Sequence, residues 1–234
     1  MLIRVIDFET TGVPTETDPQ AICEVGFTDL EYDPETLEST IAAPFAMVVN
    51  PNRKMPVQAL AVHHISDSET IEAPPITTGL LKLNDGAPLY FAAHNAEFER
   101  QFFAPQHAEW ICTYKVALRL WPDAPSHSNQ VLRYYLGVEL DCMAAMPPHR
   151  AGPDSYVTAH ILARALATGT TVEEMVRWSS GAALLPTCPI GKQWRGKPWA
   201  DVDTGFLNWM LDQKDMEKDF KANARHELKK RGVL

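Results

Sequence analysis

The sequence predicts an α/β protein with a mixed β-sheet whose first three strands are antiparallel. The β-branched run at 2–6 is typical of a buried strand. The next strand-like runs, 21–32 and 45–49, follow too closely for helical crossovers, which favours an antiparallel meander. From residue 89 onward, short apolar runs alternate with segments of helical periodicity, as in layered folds in which helices flank a sheet.

The elements after the meander are predicted from periodicity and from residues typical of element ends. Short strands are expected at 89–93 and 110–113, and helices at 56–62, 97–103, 114–120, 128–136 and 153–166. Pro153 suits the first turn of the last of these helices. Thr171 and Glu174 have the spacing of a capping box and predict a further helix through Trp178. No glycine-rich phosphate loop follows the first strand, which excludes a Rossmann fold.

The stretch 179–189 is rich in Gly, Ser and Pro and predicts a domain junction. We therefore expect a main domain at 1–168, a helix and linker at 169–188, and a small C-terminal α+β module at 189–234. Within this module the sequence predicts a hairpin at 190–199 and helices at 206–211 and 216–231. Trp209 is expected in its core, because a module of this size has little else to bury.

Composition narrows the class of protein but not its partner. The 234 residues carry a net charge of −9, which divides into −11 over 1–166 and +2 over 167–234. This balance neither supports nor excludes a nucleic-acid partner. No apolar run approaches the roughly 20 residues of a membrane span, so no membrane association is expected. The four cysteines have no paired spacing, which argues against a zinc site and fits reduced thiols in the cytoplasm.

The acidic pair Asp7 and Glu9 follows the first apolar run directly. Residues at i and i+2 of an extended chain share a face, so the two carboxylates converge while Phe8 points into the protein. Two like charges at close range need a neutralising partner, and a hard cation such as Mg²⁺ or Mn²⁺ suits oxygen ligands. The alternative is a strand that ends in a solvated acidic turn.

Two further segments place carboxylates beside histidines, His94-Asn95-Ala96-Glu97-Phe98-Glu99 and His149-Arg150-Ala151-Gly152-Pro153-Asp154. Together with Asp7-Phe8-Glu9, and in this order, they resemble the motifs of the DEDDh (DnaQ-like) 3′→5′ exonucleases. That family has Asp-x-Glu, His-Asn-Ala-x-Phe-Asp and His-x-Ala-x-x-Asp motifs. The resemblance covers nearly the whole chain, since it extends to the segments 47–51, 61–66, 110–115, 120–122 and 191–197.

The resemblance implies an RNase H-like fold and a hydrolase with two Mg²⁺ ions about 4 Å apart, for which Mn²⁺ can substitute. It assigns Asp7 to both ions, Glu9 and Asp154 to the first ion, and Glu99 to a contact through water. His149 is expected to take the proton of the attacking water, because the ordinary pKa of histidine lies near 6.5. The implied product is a 5′-mononucleotide released from a free 3′ end.

Glu99 departs from the family pattern, which has an aspartate at this position. The charge is kept but the side chain is one methylene longer. Mg²⁺ demands near-octahedral geometry and often keeps water ligands, so a carboxylate that acts through water tolerates the change. We expect activity to be retained. A catalytically impaired nucleic-acid-binding protein stays open as an alternative, because small misplacements cost about a hundredfold in rate.

The substrate contacts are also implied by the resemblance. The terminal nucleotide is expected to contact the following residues: Thr10, Thr11, Gly12, His64, Ile65, His94 and Asn95. For Ile65 plain core packing is the alternative, and His63 is expected at the surface. In the tail, possible DNA contacts comprise Lys192, Trp194, Arg195 and Lys197, a mixture suited to stacking bases and pairing phosphates. Trp194 and Trp199 could instead fill the core of the module.

These inferences predict a Mg²⁺-dependent 3′→5′ exonuclease that acts on DNA, at single-stranded or frayed ends. A 3′ exoribonuclease of the same superfamily stays open, because the motifs determine phosphodiester chemistry and not the sugar. A proofreading subunit held by a polymerase is a third interpretation, although no docking segment is evident beyond the tail. Related nucleases often dimerise, but no exposed apolar helix argues for a homodimer.

Overall fold

A single mixed sheet organises the molecule, which is described for all 234 residues by a computed structural model. The strands are β1 (Leu2–Thr10), β2 (Ile22–Tyr32), β3 (Ser39–Ile41), β4 (Phe45–Val48), β5 (Tyr90–Ala93) and β6 (Glu109–Cys112). Their order is β3-β2-β1-β5-β6, and β4 also pairs with β2. β1, β2, β3 and β4 are joined by antiparallel pairing, whereas β5 and β6 run parallel to β1. The predicted mixed sheet is therefore confirmed.

Helices flank this sheet and continue beyond it. They are α1 (Val57–His63), α2 (Asp67–Thr70), α3 (Ile76–Lys82), α4 (Thr113–Leu120), α5 (Asn129–Tyr135), α6 (Ala151–Leu166), α7 (Val172–Ser180), α8 (Thr204–Asp212) and α9 (Lys218–Lys230). Short 3₁₀ turns occur at Glu99–Gln101 and Trp199–Asp201. None of the nine helices combines the length and the apolar composition that crossing a bilayer requires.

The two faces of β1 pack against different partners, as strand geometry dictates. Ile3 and Val5 lie in a core cluster with residues of α6. Ile6 and Phe8 lie in a second cluster on the opposite face, with Leu83 and other buried side chains. Because side chains alternate along a strand, the positions that follow Ile3 and Val5 on the α6 face are 7 and 9. The C-terminal half of β1 thus presents its carboxylates toward the start of α6.

Three predicted elements differ from the structure. β1 extends to Thr10, because its pairing with β2 continues to Ile22, so the acidic pair lies within the strand and not after it. The helix expected at 97–103 is only the three-residue 3₁₀ turn, and Pro105 follows closely enough to disfavour a longer helix. The hairpin expected at 190–199 is a loop closed by one antiparallel bridge between Thr187 and Pro198. β3 and α3 are elements that the sequence did not predict.

The residues after α7 pack around a core of their own. This cluster draws only on residues 188–228, with Trp199, Leu207 and Leu228 among its buried members. The connecting segment is attached to α9 by the Asn223 side chain, which accepts from the Leu185 N–H at 2.9 Å and donates to the Ala183 carbonyl at 2.6 Å. The division of the chain into domains stays a prediction.

Candidate active site

Three carboxylates from β1 and α6 meet in one place. Carboxylate oxygens of Asp7, Glu9 and Asp154 all lie within 4.8 Å of one another. Asp7 and Glu9 come from alternate positions of β1, and Asp154 comes from the first turn of α6. The N-terminus of a helix carries a partial positive charge, which favours carboxylates at this position. The convergence of Asp7 and Glu9 that the sequence predicted is therefore present.

Asp154 is positioned by hydrogen bonds from two directions. Its Oδ2 accepts the backbone N–H of His149 at 2.8 Å, and its Oδ1 accepts Nε2 of Gln130 at 3.1 Å. Asn129 donates from Nδ2 to the Asp154 carbonyl at 3.1 Å. Each carboxylate oxygen has two acceptor sites, so one site on each oxygen stays free for a cation. α5 therefore supports the carboxylate that α6 contributes.

An ion pair between the buried Glu24 and the half-buried Arg150 joins β2 to the start of α6, and it was not predicted from the sequence. Glu24 is 1% exposed and lies opposite Glu9 in the β1–β2 pairing. Its Oε1 and Oε2 accept Nε of Arg150 at 3.1 and 3.0 Å, and Oε1 also accepts Nη2. Oε2 further accepts the backbone N–H of Ala151 at 2.8 Å. Glu24 thereby satisfies a free donor at the helix N-terminus and fixes the position of α6.

A glycine on β2 allows α6 to come this close. A Cβ at Gly26 would lie 2.2 Å from the Ala151 carbonyl carbon and 2.5 Å from the Gly152 nitrogen. Any larger residue there would displace the first turn of α6. Glycine at position 26 and glutamate at position 24 thus act together, since one permits the approach and the other holds it. The displaced part would include Asp154.

Burial, joined at Asp7 and Glu9 by the neighbouring carboxylates, raises the pKa values of the cluster. Burial, reinforced by the charges of Asp154 and Glu24, raises the pKa of Glu9 to about 8, although Arg150 opposes this. Burial and the carboxylates of Glu9 and Asp154 raise the pKa of Asp7 well above its ordinary range. Burial also raises the pKa of Asp154, while the His149 N–H and Gln130 counteract the increase. A cation bound among these oxygens would remove the repulsion.

Glu99 is the fourth acidic residue and the one that departs from the family pattern. Its side chain is buried, and its Oε2 has no hydrogen-bond partner in the protein. Burial raises its pKa to about 8, and Glu9 adds to the increase. A buried carboxylate oxygen without a partner is costly unless a ligand supplies the missing interaction. The residues present therefore fit a divalent cation, either directly or through water at Glu99.

His149 lies at the mouth of the site. Its side chain is exposed and its backbone has φ = 59°, in the left-handed region. The same backbone conformation directs its N–H to Asp154. An exposed imidazole next to the acidic cluster is free to reach a water molecule and to exchange a proton with solvent.

The loop after β1 holds three of the residues predicted to contact substrate. The Thr10 hydroxyl donates to the Gly12 carbonyl at 2.8 Å, and the Thr11 hydroxyl donates to Oε1 of Gln20 at 2.8 Å. Gly12 has φ = 148°, and a Cβ there would lie 3.3 Å from the Gln20 side chain. Both threonine hydroxyl protons are thus engaged within the loop, so a substrate would meet this loop mainly through Gly12 and the backbone.

His94 and Asn95 line the wall of a cavity of about 630 Å³. Nε2 of His94 is 2.8 Å from the His127 carbonyl, which can only accept, so Nε2 carries the proton and Nδ1 faces the Thr113 hydroxyl at 3.0 Å. Burial lowers the pKa of His94 to about 4, which keeps the ring neutral at pH 7. Its polar atoms are occupied, so His94 supports the cavity wall. Asn95 is exposed, with φ = 69°.

Two expectations around α1 need correction. Ile65 is fully buried in a cluster with Cys23, Met55 and Ala59, so its side chain is inaccessible to a nucleotide in this structure. His63 was expected at the surface but is 3% exposed. Its Nδ1 accepts the Ile65 N–H at 2.9 Å, and burial lowers its pKa. His64 is exposed in the left-handed conformation that ends α1.

The predicted tail contacts lie on the surface, with one exception. Lys192, Arg195 and Lys197 are exposed, while Trp194 is half-buried against Phe206. Of the two remaining tail tryptophans, Trp199 follows the core alternative, whereas Trp209 departs from its expectation. Trp199 is in the core and donates from Nε1 to the Leu185 carbonyl at 2.8 Å, whereas Trp209 is 46% exposed. Leu207 and Met210 fill the buried face of α8 and leave position 209 outside.

A weak signal for the missed ion pair was present in the sequence. Glu24 interrupts an otherwise apolar strand, 22–27, and a charge in such a position calls for a buried partner. Arg150 stands next to His149 in the third motif. Pairing the two would have required knowing that α6 starts over β2. Gln130 gave no signal, because a glutamine on a helix is ordinary.

Comparisons with known proteins agree with this geometry. The model of the RNase_T exonuclease family matches residues 5–162. The chain is 31% identical over 237 residues to exodeoxyribonuclease 10 of Escherichia coli (strain K12), covering 97% of this chain and 99% of that protein. The structure of exonuclease X in complex with 5′ overhanging duplex DNA has a TM-score of 0.62 at 31% identity, covering 76% of this chain and 99% of that one.

A more distant structure supports the fold alone. The nuclease domain of 3′hExo, a DEDDh family member bound to rAMP, has a TM-score of 0.53 at 21% identity and covers 72% of this chain and 92% of that one. The RNase H-like fold implied by the motifs is thus confirmed. The chain belongs to the RNase_T exonuclease family and is a 3′→5′ exonuclease of its DEDDh group.

Proposed function

We propose that this protein removes nucleotides from the 3′ ends of DNA and releases 5′-mononucleotides, with two Mg²⁺ ions as cofactors. The observation that carries the proposal is the acidic cluster of Asp7, Glu9 and Asp154, with the unpartnered Oε2 of Glu99 beside it. Family members use divalent metal ions, and four neighbouring carboxylates with raised pKa values suit a hard cation.

In this proposal Asp7 would contact both ions, Glu9 and Asp154 would contact the first ion, and Glu99 would act through water. When bound, the ions supply charge stabilisation for the attacking and leaving oxygens of the phosphodiester. The chain itself supplies the positions of the ligands. Glu24 and Gly26 set the distance between β2 and α6, and this distance determines where Asp154 stands relative to Glu9.

His149 is the proposed general base. Its exposed imidazole accepts the proton of the attacking water, while its backbone N–H holds Asp154. The two roles require different atoms of one residue. Replacing the side chain would therefore remove the base and leave the hydrogen bond to Asp154 in place.

The terminal nucleotide is proposed to lie between the loop at Gly12 and the cavity wall at Asn95. His64, which is exposed at the end of α1, is a further proposed contact. Ile65 is removed from this set, because its side chain is buried.

DNA is preferred over RNA because of the full-length similarity to exodeoxyribonuclease 10 and the match to exonuclease X with DNA. We also propose that the protein acts in the cytoplasm, where its four free cysteines, three of them buried, would stay reduced. A homodimer remains a prediction without a structural argument.

The test is hydrolysis of matched DNA and RNA oligomers labelled at the 5′ or the 3′ end, with Mg²⁺ and with chelator. We expect a ladder that shortens from the 3′ end of DNA, labelled mononucleotide from the 3′-labelled strand, and no reaction with chelator. Release from RNA alone would replace the DNA assignment by an exoribonuclease. No release with Mg²⁺ or Mn²⁺ would favour the non-catalytic binding protein.

A further inference from the structure

Three aromatic rings lie in a row in the module after α7, and the ring at one end, Trp209, is exposed. Phe206 and Trp209 are one helical turn apart on α8, and their rings are stacked at 5.1 Å and 26°. Trp194, from the preceding loop, lies 6.3 Å from Phe206 at 43°. We call these three residues the aromatic ladder. Trp209 at its end is 46% exposed, whereas Trp199 of the same module is 8% exposed.

The backbone of the preceding loop accommodates this ladder. Gly191 has φ = 84°, and a Cβ there would lie only 2.8 Å from Cζ of Phe206. A glycine at this position lets the Phe206 ring lie directly against the loop that carries Trp194. The contact between helix and loop thus depends on a residue without a side chain, in a conformation that other residues rarely adopt.

The loop that carries Trp194 also carries three cationic side chains. Nζ of Lys197 lies 5.6 Å from the centre of the Trp194 ring, and Lys192 is exposed in the same loop. Arg195 is exposed and donates from Nε to the Pro189 carbonyl at 3.1 Å. The acidic Asp203 has its Oδ1 engaged by the backbone N–H groups of Gly205 and Phe206. Stacked rings beside lysine and arginine match the bases and phosphates of a single strand.

One cavity is lined both by residues close to the active site in sequence and by residues that lead into the loop of the ladder. The lining of this 630 Å³ cavity includes Asn95 and Ser128 and also Thr187 and Pro189. Ser128 precedes Asn129, which donates to the Asp154 carbonyl. At the other end, the Pro189 carbonyl accepts the Arg195 guanidinium. This cavity is the route that a strand with its 3′ end at the carboxylates would take toward the loop that bears the ladder.

From these observations we infer that the aromatic ladder binds the single-stranded DNA upstream of the 3′ end that is being hydrolysed, by stacking its bases on Trp209 and pairing its phosphates with Lys192, Arg195 and Lys197. The inference rests on the proposed function, because it takes the DNA substrate as the ligand. According to this inference, the C-terminal module is a second binding site for the substrate, and Trp209 is exposed because it contacts DNA.

The affinity for DNA, measured without catalysis, tests the role of the aromatic ladder directly. The full-length protein is titrated into fluorescein-labelled (dT)20 in chelator, and fluorescence anisotropy is measured. Trp209→Ala should weaken binding by roughly tenfold, whereas Trp209→Phe, which keeps a stacking ring, should stay close to wild type. Tyr135→Ala is the matched control, because Tyr135 is exposed to the same 46% but lies on α5. Thermal melting of each variant verifies that it is folded.

The proposed phosphate contacts of the lysines are tested by the salt dependence of DNA binding. Lys197→Gln should reduce the slope of log K against log salt by about 0.7, the contribution of one phosphate contact on a single strand. Lys82→Gln, an exposed lysine on α3, should leave the slope unchanged. Equal binding of (dT)20 by wild type and Trp209→Ala would overturn the inference, as would an equal loss in the Tyr135 control. Tighter binding of (rU)20 than of (dT)20 would overturn the assignment of DNA.

Hydrolysis assays distinguish an error in the role of the aromatic ladder from an error in the proposed function. Trp209→Ala should raise KM for (dT)20 by about the factor lost in binding. It should not change the hydrolysis of thymidine 5′-(p-nitrophenyl phosphate), which is too short to reach the ladder. If wild type hydrolyses neither compound with Mg²⁺ or Mn²⁺, the proposed function fails while the binding result still stands. If Trp209→Ala hydrolysed both compounds more slowly than wild type, the proposed role of the aromatic ladder would be contradicted.

Discussion

Replacing Glu9 by glutamine should make the metal-free protein more stable. Glu9 has a pKa of about 8, against an ordinary value of 4.5. Each pKa unit corresponds to about 1.4 kcal/mol, so at pH 8 ionising this carboxyl opposes folding by at most about 4 kcal/mol. Asp7 and Asp154 share the repulsion. We therefore expect Glu9→Gln to recover about 2 kcal/mol of unfolding free energy.

The effect has a defined pH window. The pKa of Glu9 is higher in the folded than in the unfolded state, so stability is complete below pH 4.5 and is lost as the pH rises toward 8. Urea denaturation in chelator should show wild type losing stability between pH 5 and 8 and Glu9→Gln losing less. Glu31→Gln provides the control, because Glu31 is an exposed glutamate of the same sheet.

Mg²⁺ should reverse the order of stability. A cation at 100 times its Kd stabilises the folded state by about 2.7 kcal/mol. Wild type should gain this stabilisation from Mg²⁺. Glu9→Gln should gain much less, since it has lost one of the metal ligands. The reasoning would be refuted if Glu9→Gln were less stable than wild type at pH 8 in chelator, or if the difference were the same at pH 5.

Four further changes test single parts of the site by steady-state rates on 3′-labelled DNA. Glu24→Gln should lower kcat by about tenfold or more, because α6 loses its ion pair with β2 and a small displacement of Asp154 slows the reaction. An unchanged kcat would show that the ion pair does not position Asp154. Glu99→Asp should keep or raise kcat, whereas Asp154→Ala should abolish it; full activity of Asp154→Ala would exclude it as a ligand. His149→Ala should lower kcat by about a hundredfold or more and flatten the dependence of kcat on pH between 6 and 8. If kcat of the wild type is already independent of pH in this range, His149 is not the base.

Local geometry made part of this site predictable. Asp7 and Glu9 share a face because side chains alternate along any strand, and this needs no knowledge of the rest of the fold. The mixed sheet followed in the same way from short spacings between strand-like runs. The third carboxylate required the family resemblance, since nothing local to Asp154 indicates that it meets β1.

The parts that were missed depend on contacts distant in sequence. Glu24 and Arg150 pair only because α6 starts over β2, and no periodicity encodes that packing. The helix expected at 97–103 is a short turn, because tertiary packing and Pro105 override the local pattern. Trp209 was placed in the core on composition, whereas α8 buries Leu207 and Met210 instead. Each case is an outcome of packing that local propensity does not determine.

The number of metal ions bound tests the central claim most directly. Mn²⁺ is titrated into the full-length protein with thymidine 5′-monophosphate present, and bound Mn²⁺ is counted by electron paramagnetic resonance beside the rate of DNA hydrolysis in the same buffer. The account predicts two ions per chain in wild type, fewer in Asp7→Asn, and hydrolysis only where both are bound. Hydrolysis that continues when no divalent ion is bound, or full occupancy in Asp7→Asn, would contradict it.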